Sequence, residues 1–358
     1  MITAQAIVDL AALQHNYNNL KAQCQNQKLV AVIKGDAYGH NAIEVARALP
    51  QADAFAVARI EEAVALRDAG ITQPIQLLEG CFCQEDLKTA SELALQTTIH
   101  SPETLRDFQQ TSLSTPMTVW LKIDTGMHRI GVMPTEVDSY VQAIQATGKV
   151  AGDIGFMSHF FLADDVDSVA TEQQISVFKK ATHAYPGPKN LANSAGLLFW
   201  QDKDFDYCRG GIALYGISPS DNHIGQEHGL CPVMTLQSTL IAVRPHQAKE
   251  SLGYGHTWTA QQDTHIGVVA LGYGDGYPRC APAGTPVMIN GRRVPVVGRV
   301  SMDMITVDLG AKSQDCVGDC VEFWGNQLPI EEVAKAIGTI PYELVIKVAP
   351  RVAKRFLR

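Results

Sequence analysis

The residue best placed for covalent chemistry is Lys34, which ends the apolar run 29–33 and precedes Gly35–Asp36–Ala37–Tyr38–Gly39–His40. A run rich in Val and Ile predicts a strand buried on both faces, as in parallel sheets. At the carboxyl end of such a strand, burial lowers the pKa of a lysine amine and makes it a nucleophile toward carbonyl groups. The alternative is a lysine that only extends from the strand end into solvent, and the local run does not decide between the two.

Polar residues and glycines also follow the other apolar runs. If these runs form a barrel, their ends meet at one face, where phosphate commonly binds after strands seven and eight. Ser194 offers a hydroxyl there, while Gly211 and Ile212 offer backbone N–H groups to an anion. A Schiff-base lysine beside a phosphate cradle predicts pyridoxal 5'-phosphate as the cofactor. The strand-end candidates are Arg59, Glu79, His100, Arg129, His159, Asn193–Ser194–Ala195–Gly196 and Arg209–Gly210–Gly211–Ile212.

Arg209 indicates which kind of pyridoxal phosphate chemistry the site would favour. A guanidinium directed at the ring nitrogen of the cofactor would keep that nitrogen unprotonated, which weakens the ring as an electron sink and suppresses side reactions. An ordinary ion pair at the strand end is the alternative interpretation of this residue.

The elements that must position these residues alternate short apolar runs with helical stretches. Helical signals include the segment 60–69 stopped by Gly70, a helix beginning at Ser101–Pro102, and the segments 135–147 and 171–184. Eight strand–helix repeats favour an α/β fold with a (β/α)8 TIM-type barrel over an open sheet. The candidate strands are 29–33, 54–58, 75–79, 97–100, 117–124, 153–158, 190–193 and 207–214.

After about residue 230 the pattern becomes mainly β. The segments 236–243 and 266–271 predict strands, and Asn290–Gly291 inside 287–296 predicts a hairpin. A short helix is expected near 330–337. The sequence therefore predicts a barrel domain over 1–230 and a C-terminal β domain over 231–358.

Composition limits the possible partners. The 358 residues carry 29 Lys and Arg against 37 Asp and Glu, and a formal charge of −8 argues against a nucleic-acid surface. No run is long enough for a membrane helix and no signal peptide is evident, so a cytoplasmic protein without a membrane partner is expected. The eight cysteines are scattered without a Cys-x-x-Cys pair, which favours reduced thiols and no metal site.

The chain resembles the bacterial alanine racemases through motifs in the same order over almost its whole length. Because the motifs occur in the same order as in the family, the resemblance is specific, although any one motif alone would be weak evidence. The motifs are VIKGDAYGH at 32–40, KIDTGMHR at 122–129, NS at 193–194, RGGI at 209–212, GYG at 253–255, GYGDGY at 272–277, GRVSMD at 298–303 and PYE at 341–343.

The resemblance implies interconversion of L- and D-alanine by a homodimer with shared active sites. Lys34 would bind the cofactor covalently and act on one face of the substrate α-carbon, and Tyr254 of the partner subunit would act on the other. Many family members have a cysteine at Ser301, so no thiol role is implied there. The remaining implied contacts are Tyr38, Ser194, Gly211, Ile212 and Tyr342 around the phosphate, Asn193 as a further cofactor-binding residue, Arg209 at the ring nitrogen with support from His159, Arg129 near the cofactor phenolate and the substrate carboxylate, and Met302 with Asp303 of the partner at the substrate entrance.

A two-base inversion independently requires such a pair, since a proton acceptor and a donor must lie on opposite faces. Free Lys and Tyr have pKa values of about 10.4 and 10, so both must be lowered or coupled to cations, for which Arg129 and Arg209 are the candidates. Lys122 matches a family position where a carbamylated lysine positions the arginine seven residues later, and we treat its carbamylation as a hypothesis.

The sequence leaves three other functions open. A decarboxylase of basic amino acids shares the architecture but would need a carboxylate in place of Arg209. A noncatalytic cofactor carrier would need neither Tyr254 nor a second domain. A racemase of broader specificity is harder to separate, because one methylene changes discrimination by only about 1–3 kcal/mol. Product D-alanine would supply peptidoglycan precursors, or the reaction would serve L-alanine breakdown.

Overall fold

The computed structural model describes residues 3–200 and 204–358. Within this part the chain forms two compact units. One unit comprises the residues up to Asn16 together with Tyr215–Arg358, and the other comprises Tyr17–Leu214. We call them the β unit and the barrel unit. The domain boundary expected after residue 230 stays a prediction.

The barrel unit alternates strands with helices. The chain begins with β1 (Gln5–Asp9), which belongs to the β unit, and α1 (Leu10–Gln23). The strands of the barrel unit are β2 (Lys28–Val32), β3 (Ala54–Val57), β4 (Ile75–Leu77), β5 (Thr97–Ile99), β6 (Val119–Lys122), β7 (Gly155–Met157), β8 (Lys189–Asn190) and β9 (Tyr207–Gly210). The helical segments are α2 (Lys34–Gly39), α3 (Ala42–Ala48), α4 (Ile60–Asp68), α5 (Gln84–Glu92), α6 (Pro102–Gln110), α7 (Val137–Gln145), α8 (Ala170–Thr182) and α9 (Ser194–Phe199).

Strands β2 to β9 form one parallel sheet in the order β4–β3–β2–β9–β8–β7–β6–β5. A bridge between Gln76 and Gln96 joins its two ends, so the sheet is a nearly closed barrel. Each of the eight strands overlaps its predicted run, and the α/β fold class is confirmed. Strand β8 shares only Asn190 with the predicted run 190–193, and β9 ends four residues before the predicted 214. Parallel strands bring their carboxyl ends to one face, which therefore carries the strand-end residues.

Local signals explain several helix boundaries. The Ser101 hydroxyl accepts a hydrogen bond from the Thr104 amide at 3.3 Å, and Pro102 occupies the first turn of α6. Helix α4 ends before Gly70, whose φ of +83° suits glycine. Both boundaries agree with the sequence prediction.

The β unit is built on a second eight-stranded sheet, in the order β13–β16–β15–β14–β17–β10–β1–β18. Because β13 also pairs with β10, the six strands from β13 to β10 in this order form a closed ring. The strands and α-helices of the β unit after residue 230 are β10 (Met234–His246), β11 (Ser251–Leu252), β12 (Trp258–Thr259), β13 (Thr264–Val269), β14 (Pro286–Ile289), β15 (Arg292–Val297), β16 (Ile305–Asp308), β17 (Cys320–Trp324), α10 (Ile330–Ile337), α11 (Pro341–Ile346) and β18 (Ala353–Leu357).

The mainly β character of this unit, its hairpin and its helix α10 confirm the sequence prediction. Asn290 and Gly291 have φ of +48° and +75°, as a tight hairpin turn requires. Strand β1 was not predicted: it lies between β10 and β18, with Gln5 paired to Gln237 and Ala353. Among the described residues, no helix is both long and apolar enough to cross a membrane.

Candidate active site

The barrel unit holds most of the predicted site residues at the carboxyl ends of its strands. Lys34 follows β2, Lys122 ends β6, and His159 follows β7 by two residues. The others in this unit are Tyr38, Arg129, Asn193, Ser194, Arg209, Gly211 and Ile212.

Lys34 begins a left-handed turn. Gly35, Asp36, Ala37 and Tyr38 have φ of 62°, 53°, 55° and 53°, so three residues other than glycine adopt a conformation that L-residues disfavour. Each such residue costs roughly 1–2 kcal/mol, and backbone strain of this kind concentrates at functional sites. The turn brings the Tyr38 side chain toward Gly211, on the neighbouring strand end.

Charged groups of several strand ends act on the half-buried Lys34 amine. Burial lowers its pKa, and the cations Arg129 and Arg209 lower it further. The carboxylates of Glu79 and Glu62 act in the opposite direction. The amine is thus a weaker base than a free lysine and is more often in its neutral, nucleophilic form.

A small polar cradle lies beside the Lys34 turn. The Ser194 hydroxyl accepts hydrogen bonds from the amides of Gly211 at 2.9 Å and Ala213 at 3.3 Å. A Cβ atom on Gly211 would lie 3.1 Å from the Tyr38 hydroxyl and 3.6 Å from the Ser194 hydroxyl, so glycine keeps this space open. Burial raises the pKa of Tyr38 to about 12, which keeps its hydroxyl protonated and able to donate. Because these two amides donate to Ser194, the groups that can donate to an anion such as phosphate are the Ser194 and Tyr38 hydroxyls.

Arg209 is buried behind the cradle. Its Nη1 donates to the Asn190 side chain at 2.5 Å, and its Nη2 donates to the Ser158 carbonyl at 2.8 Å and to His159 Nδ1 at 3.1 Å. Within the described part of the chain, the hydrogen bonds of Arg209 use Nη1 and Nη2, which leaves Nε for a ligand acceptor. Burial lowers the pKa of Arg209 to about 10, so the group stays a cation at neutral pH.

His159 supports Arg209 as a neutral acceptor. Burial, together with the Arg209 cation, lowers the pKa of His159 well below its usual range. A neutral imidazole can accept the Nη2 hydrogen on Nδ1, which an imidazolium could not do.

Lys122, Arg129 and His159 line one small cavity at this face. Burial, with the cations Arg209 and Arg129, lowers the pKa of Lys122 to about 7. The guanidinium groups of Arg129 and Arg209 are the cations that act on this face, and they favour binding of a molecule that carries phosphate and carboxylate groups.

The β unit holds the remaining predicted residues. Tyr254 begins a 3-10 turn between Gly253 and Gly255, and 69% of its surface is exposed. Met302 is also exposed, while the Asp303 carboxylate binds Arg351 at 2.8 Å. Tyr342 lies in the first turn of α11.

Sequence reasoning missed two residues that fix the site. Asn190 holds Arg209, and its only signal was a polar residue inside a short apolar strand. Glu62 binds the amide of Gly35, which follows Lys34, but it reads in the sequence as an ordinary first-turn acid of a helix.

The fold and the site define a class: enzymes that join an eight-stranded parallel barrel, with a lysine at a strand end, to a mainly β domain. The family model "Alanine racemase, N-terminal domain" matches residues 8–219, and "Alanine racemase, C-terminal domain" matches residues 233–356. The chain belongs to the alanine racemase family, and its enzyme class is that of the isomerases.

Individual relatives are similar to this chain over all or nearly all of their length. An alanine racemase of Shewanella piezotolerans is 51% identical over 349 residues, covering 98% of both chains. A biosynthetic alanine racemase of Escherichia coli O6:H1 is 49% identical over 358 residues, covering 100% of both. Among solved structures, the biosynthetic alanine racemase of Pseudomonas aeruginosa is 42% identical with a TM-score of 0.97 and covers 100% of both chains.

Proposed function

We propose that this protein interconverts L- and D-alanine with pyridoxal 5'-phosphate as its cofactor, and that the D-alanine supplies peptidoglycan precursors. The observation that carries the proposal is Lys34 with its lowered pKa beside the Ser194–Gly211–Tyr38 cradle. The full-length similarity to alanine racemases, two of them described as biosynthetic, supports the substrate and the role.

The residues proposed to hold this cofactor lie in the barrel unit, except for Tyr342 of the β unit. Lys34 would bind its carbonyl carbon, while Tyr38, Ser194, Gly211, Ile212 and Tyr342 would hold its phosphate. Asn193 would be a further cofactor-binding residue. The space that a Gly211 side chain would fill supports the phosphate position. The Nε of Arg209 would face the ring nitrogen, with His159 behind it. When bound, pyridoxal phosphate withdraws electrons from the substrate α-carbon and makes its proton acidic.

Two side chains would move that proton. Lys34 would accept it on one face of the α-carbon in its neutral form, which its lowered pKa favours. Tyr254 would serve the opposite face from the partner subunit of a homodimer. Its side chain is largely exposed in the single chain, as expected of a residue that would complete the active site of a partner subunit.

Other residues would select and orient the substrate. Arg129 is a cation that acts on Lys34 and would bind the alanine carboxylate. Met302 and Asp303 of the partner would line the entrance. Arg209 argues against the decarboxylase alternative, because a cation at the ring nitrogen opposes the protonation that strengthens the electron sink.

Lys122 would hold a carbamate that orients Arg129. Carbon dioxide adds to a neutral amine with release of one proton, and a pKa of about 7 leaves roughly half of Lys122 neutral at pH 7. We expect a carbamate carbon signal from protein equilibrated with carbon-13 bicarbonate, and its loss in Lys122→Ala. An unmodified Lys122 by the same measurement would contradict this role.

The activity is tested by chiral analysis of the purified protein supplied with pyridoxal phosphate and one amino acid at a time. L-Alanine should yield D-alanine until the two are equal. Equally fast racemisation of L-serine would indicate the broader-specificity alternative. Carbon dioxide from lysine or ornithine, without D-alanine, would instead support the decarboxylase, and no turnover would favour the carrier.

A further inference from the structure

We infer that Glu62 is a positioning residue: its carboxylate holds the left-handed turn after Lys34 and so directs the Lys34 amine toward the cofactor. The inference deepens the proposed function and rests on it. Glu62 carries no role in the residue set proposed above.

The contacts of Glu62 reach two loops at once. Its Oε1 accepts a hydrogen bond from the Gly35 amide at 2.5 Å. Its Oε2 accepts from the amides of Ala58 at 2.9 Å and Arg59 at 3.0 Å. Bonds from backbone N–H groups to a carboxylate are among the stronger hydrogen bonds in proteins. One side chain thus fixes the residue after the lysine to the start of helix α4.

The barrel topology explains why this link is possible. Strands β2 and β3 are parallel neighbours, with Val30 opposite Ala54 and Val32 opposite Ala56. Their carboxyl ends therefore meet, and the turn at Gly35 lies beside the loop that begins α4. Glu62 is the third residue of α4, a position from which an acidic side chain turns back over the helix start.

The turn needs external support because three of its residues disfavour positive φ. At its exit, His40 Nδ1 donates to the Ala37 carbonyl at 2.9 Å, and the Asn41 amide donates to the Asp36 carbonyl at 3.0 Å. At its entry, Glu62 binds the Gly35 amide. Loss of the Glu62 contact would free the end of the turn that directly follows the reactive lysine.

The charge of Glu62 also reaches the lysine. Glu79 and Glu62 raise the pKa of Lys34, against the effects of burial, Arg129 and Arg209. A variant with a carboxylate on a shorter side chain is therefore needed. It separates the effect of holding the turn from the effect of the negative charge on Lys34.

The test compares three variants with the wild-type holoenzyme. Glu62→Gln removes the charge and one acceptor, whereas Glu62→Asp keeps the charge on a shorter side chain. Glu61→Gln is the matched control, since Glu61 is the exposed neighbour in the same helical turn. The first readout is the dissociation constant for pyridoxal phosphate, from absorbance titration of protein stripped of its cofactor. The second is the rate of amide hydrogen exchange over residues 35–39, from mass spectrometry.

We expect both Glu62 variants to weaken pyridoxal phosphate binding by about tenfold and to speed exchange over 35–39. Glu61→Gln should match the wild type. Wild-type binding and exchange in Glu62→Gln would overturn the inference. So would a normal Glu62→Asp beside an impaired Glu62→Gln, because the effect would then be one of charge.

Two further results keep the test decisive. If Glu62→Gln does not fold, Glu62→Asp carries the same two readouts. If the wild type does not take up pyridoxal phosphate, the proposed function fails, while amide exchange over 35–39 still tests whether Glu62 holds the turn.

Discussion

At the scale of single residues, the proposed chemistry depends on one proton acceptor on each face of the α-carbon. Lys34 and Tyr254 lie in different units of the chain, at a barrel strand end and in an exposed glycine-flanked turn. Their roles can be separated because each would serve one enantiomer.

Tyr254→Phe removes the hydroxyl and keeps the ring. We expect α-deuterium incorporation from solvent to fall by about 100-fold for one enantiomer of alanine and far less for the other. Exchange is measured by NMR for L- and D-alanine separately. Equal loss for both enantiomers at this step would contradict the assignment of Tyr254.

His159 predicts a pH dependence of stability. Its folded pKa lies below the unfolded value of about 6.5, so the unfolded chain binds more protons in acid. The stability that neutral His159 gives the folded protein is fully present above about pH 6.5. It is lost as the pH falls from there toward the pKa of His159 in the folded state. The pKa values of His100 and His228 are also lowered, so the wild type alone cannot isolate the effect of His159.

His159→Gln keeps an acceptor for Arg209 without a titrating ring. Between pH 7.5 and 5.5 we expect the free energy of unfolding of the wild type to decline more than that of the variant, by up to about 1.4 kcal/mol per pH unit. Denaturant unfolding at both pH values measures it. Parallel pH profiles would show that His159 does not titrate in this way.

At the scale of elements, the sequence predicted regular structure well and irregular structure poorly. The eight barrel strands and the Asn290–Gly291 hairpin follow from local apolar runs and turn residues. Strand β1 did not follow, because its partners β10 and β18 are hundreds of residues away and leave no local signal. The left-handed turn after Lys34 was not predicted because Ala37 and Tyr38 are residue types that disfavour positive φ.

The same distinction applies to the site. Lys34 and Ser194 could be predicted because they follow apolar runs, whereas the role of Asn190 arises only when β8 lies beside β9. Glu62 likewise acts across two loops that the barrel brings together. Residues that act through other residues are therefore the ones the sequence conceals.

The cradle after β9 yields an element-scale prediction. Gly211→Ala would place a methyl group 3.1 Å from the Tyr38 hydroxyl, and we expect it to weaken pyridoxal phosphate binding by about tenfold with little loss of stability. Gly210→Ala is the control, because its methyl group would meet Leu214 and Leu29 in apolar packing at 3.2 and 3.4 Å.

For Gly210→Ala we expect the opposite pattern, a lower melting temperature with nearly unchanged cofactor affinity, because overpacking strains a core. Absorbance titration and thermal unfolding measure the two effects. Unchanged affinity in Gly211→Ala would show that the phosphate lies elsewhere.

At the scale of the whole molecule, the proposed function requires two chains to build each site. The barrel of one chain would supply Lys34 and the partner would supply Tyr254. In a symmetric dimer this arrangement repeats twice, so each chain contributes to both sites. Variants that are inactive for different reasons should therefore complement each other.

The most direct measurement is the activity of a mixed dimer of Lys34→Ala and Tyr254→Phe chains, co-expressed with different tags and purified through both. One site would lack both groups, and the other would contain the intact lysine and tyrosine. We predict about half of the wild-type racemase activity per dimer, although each variant alone is nearly inactive. A mixed dimer as inactive as its parents would contradict the shared site and the two-base mechanism that depends on it.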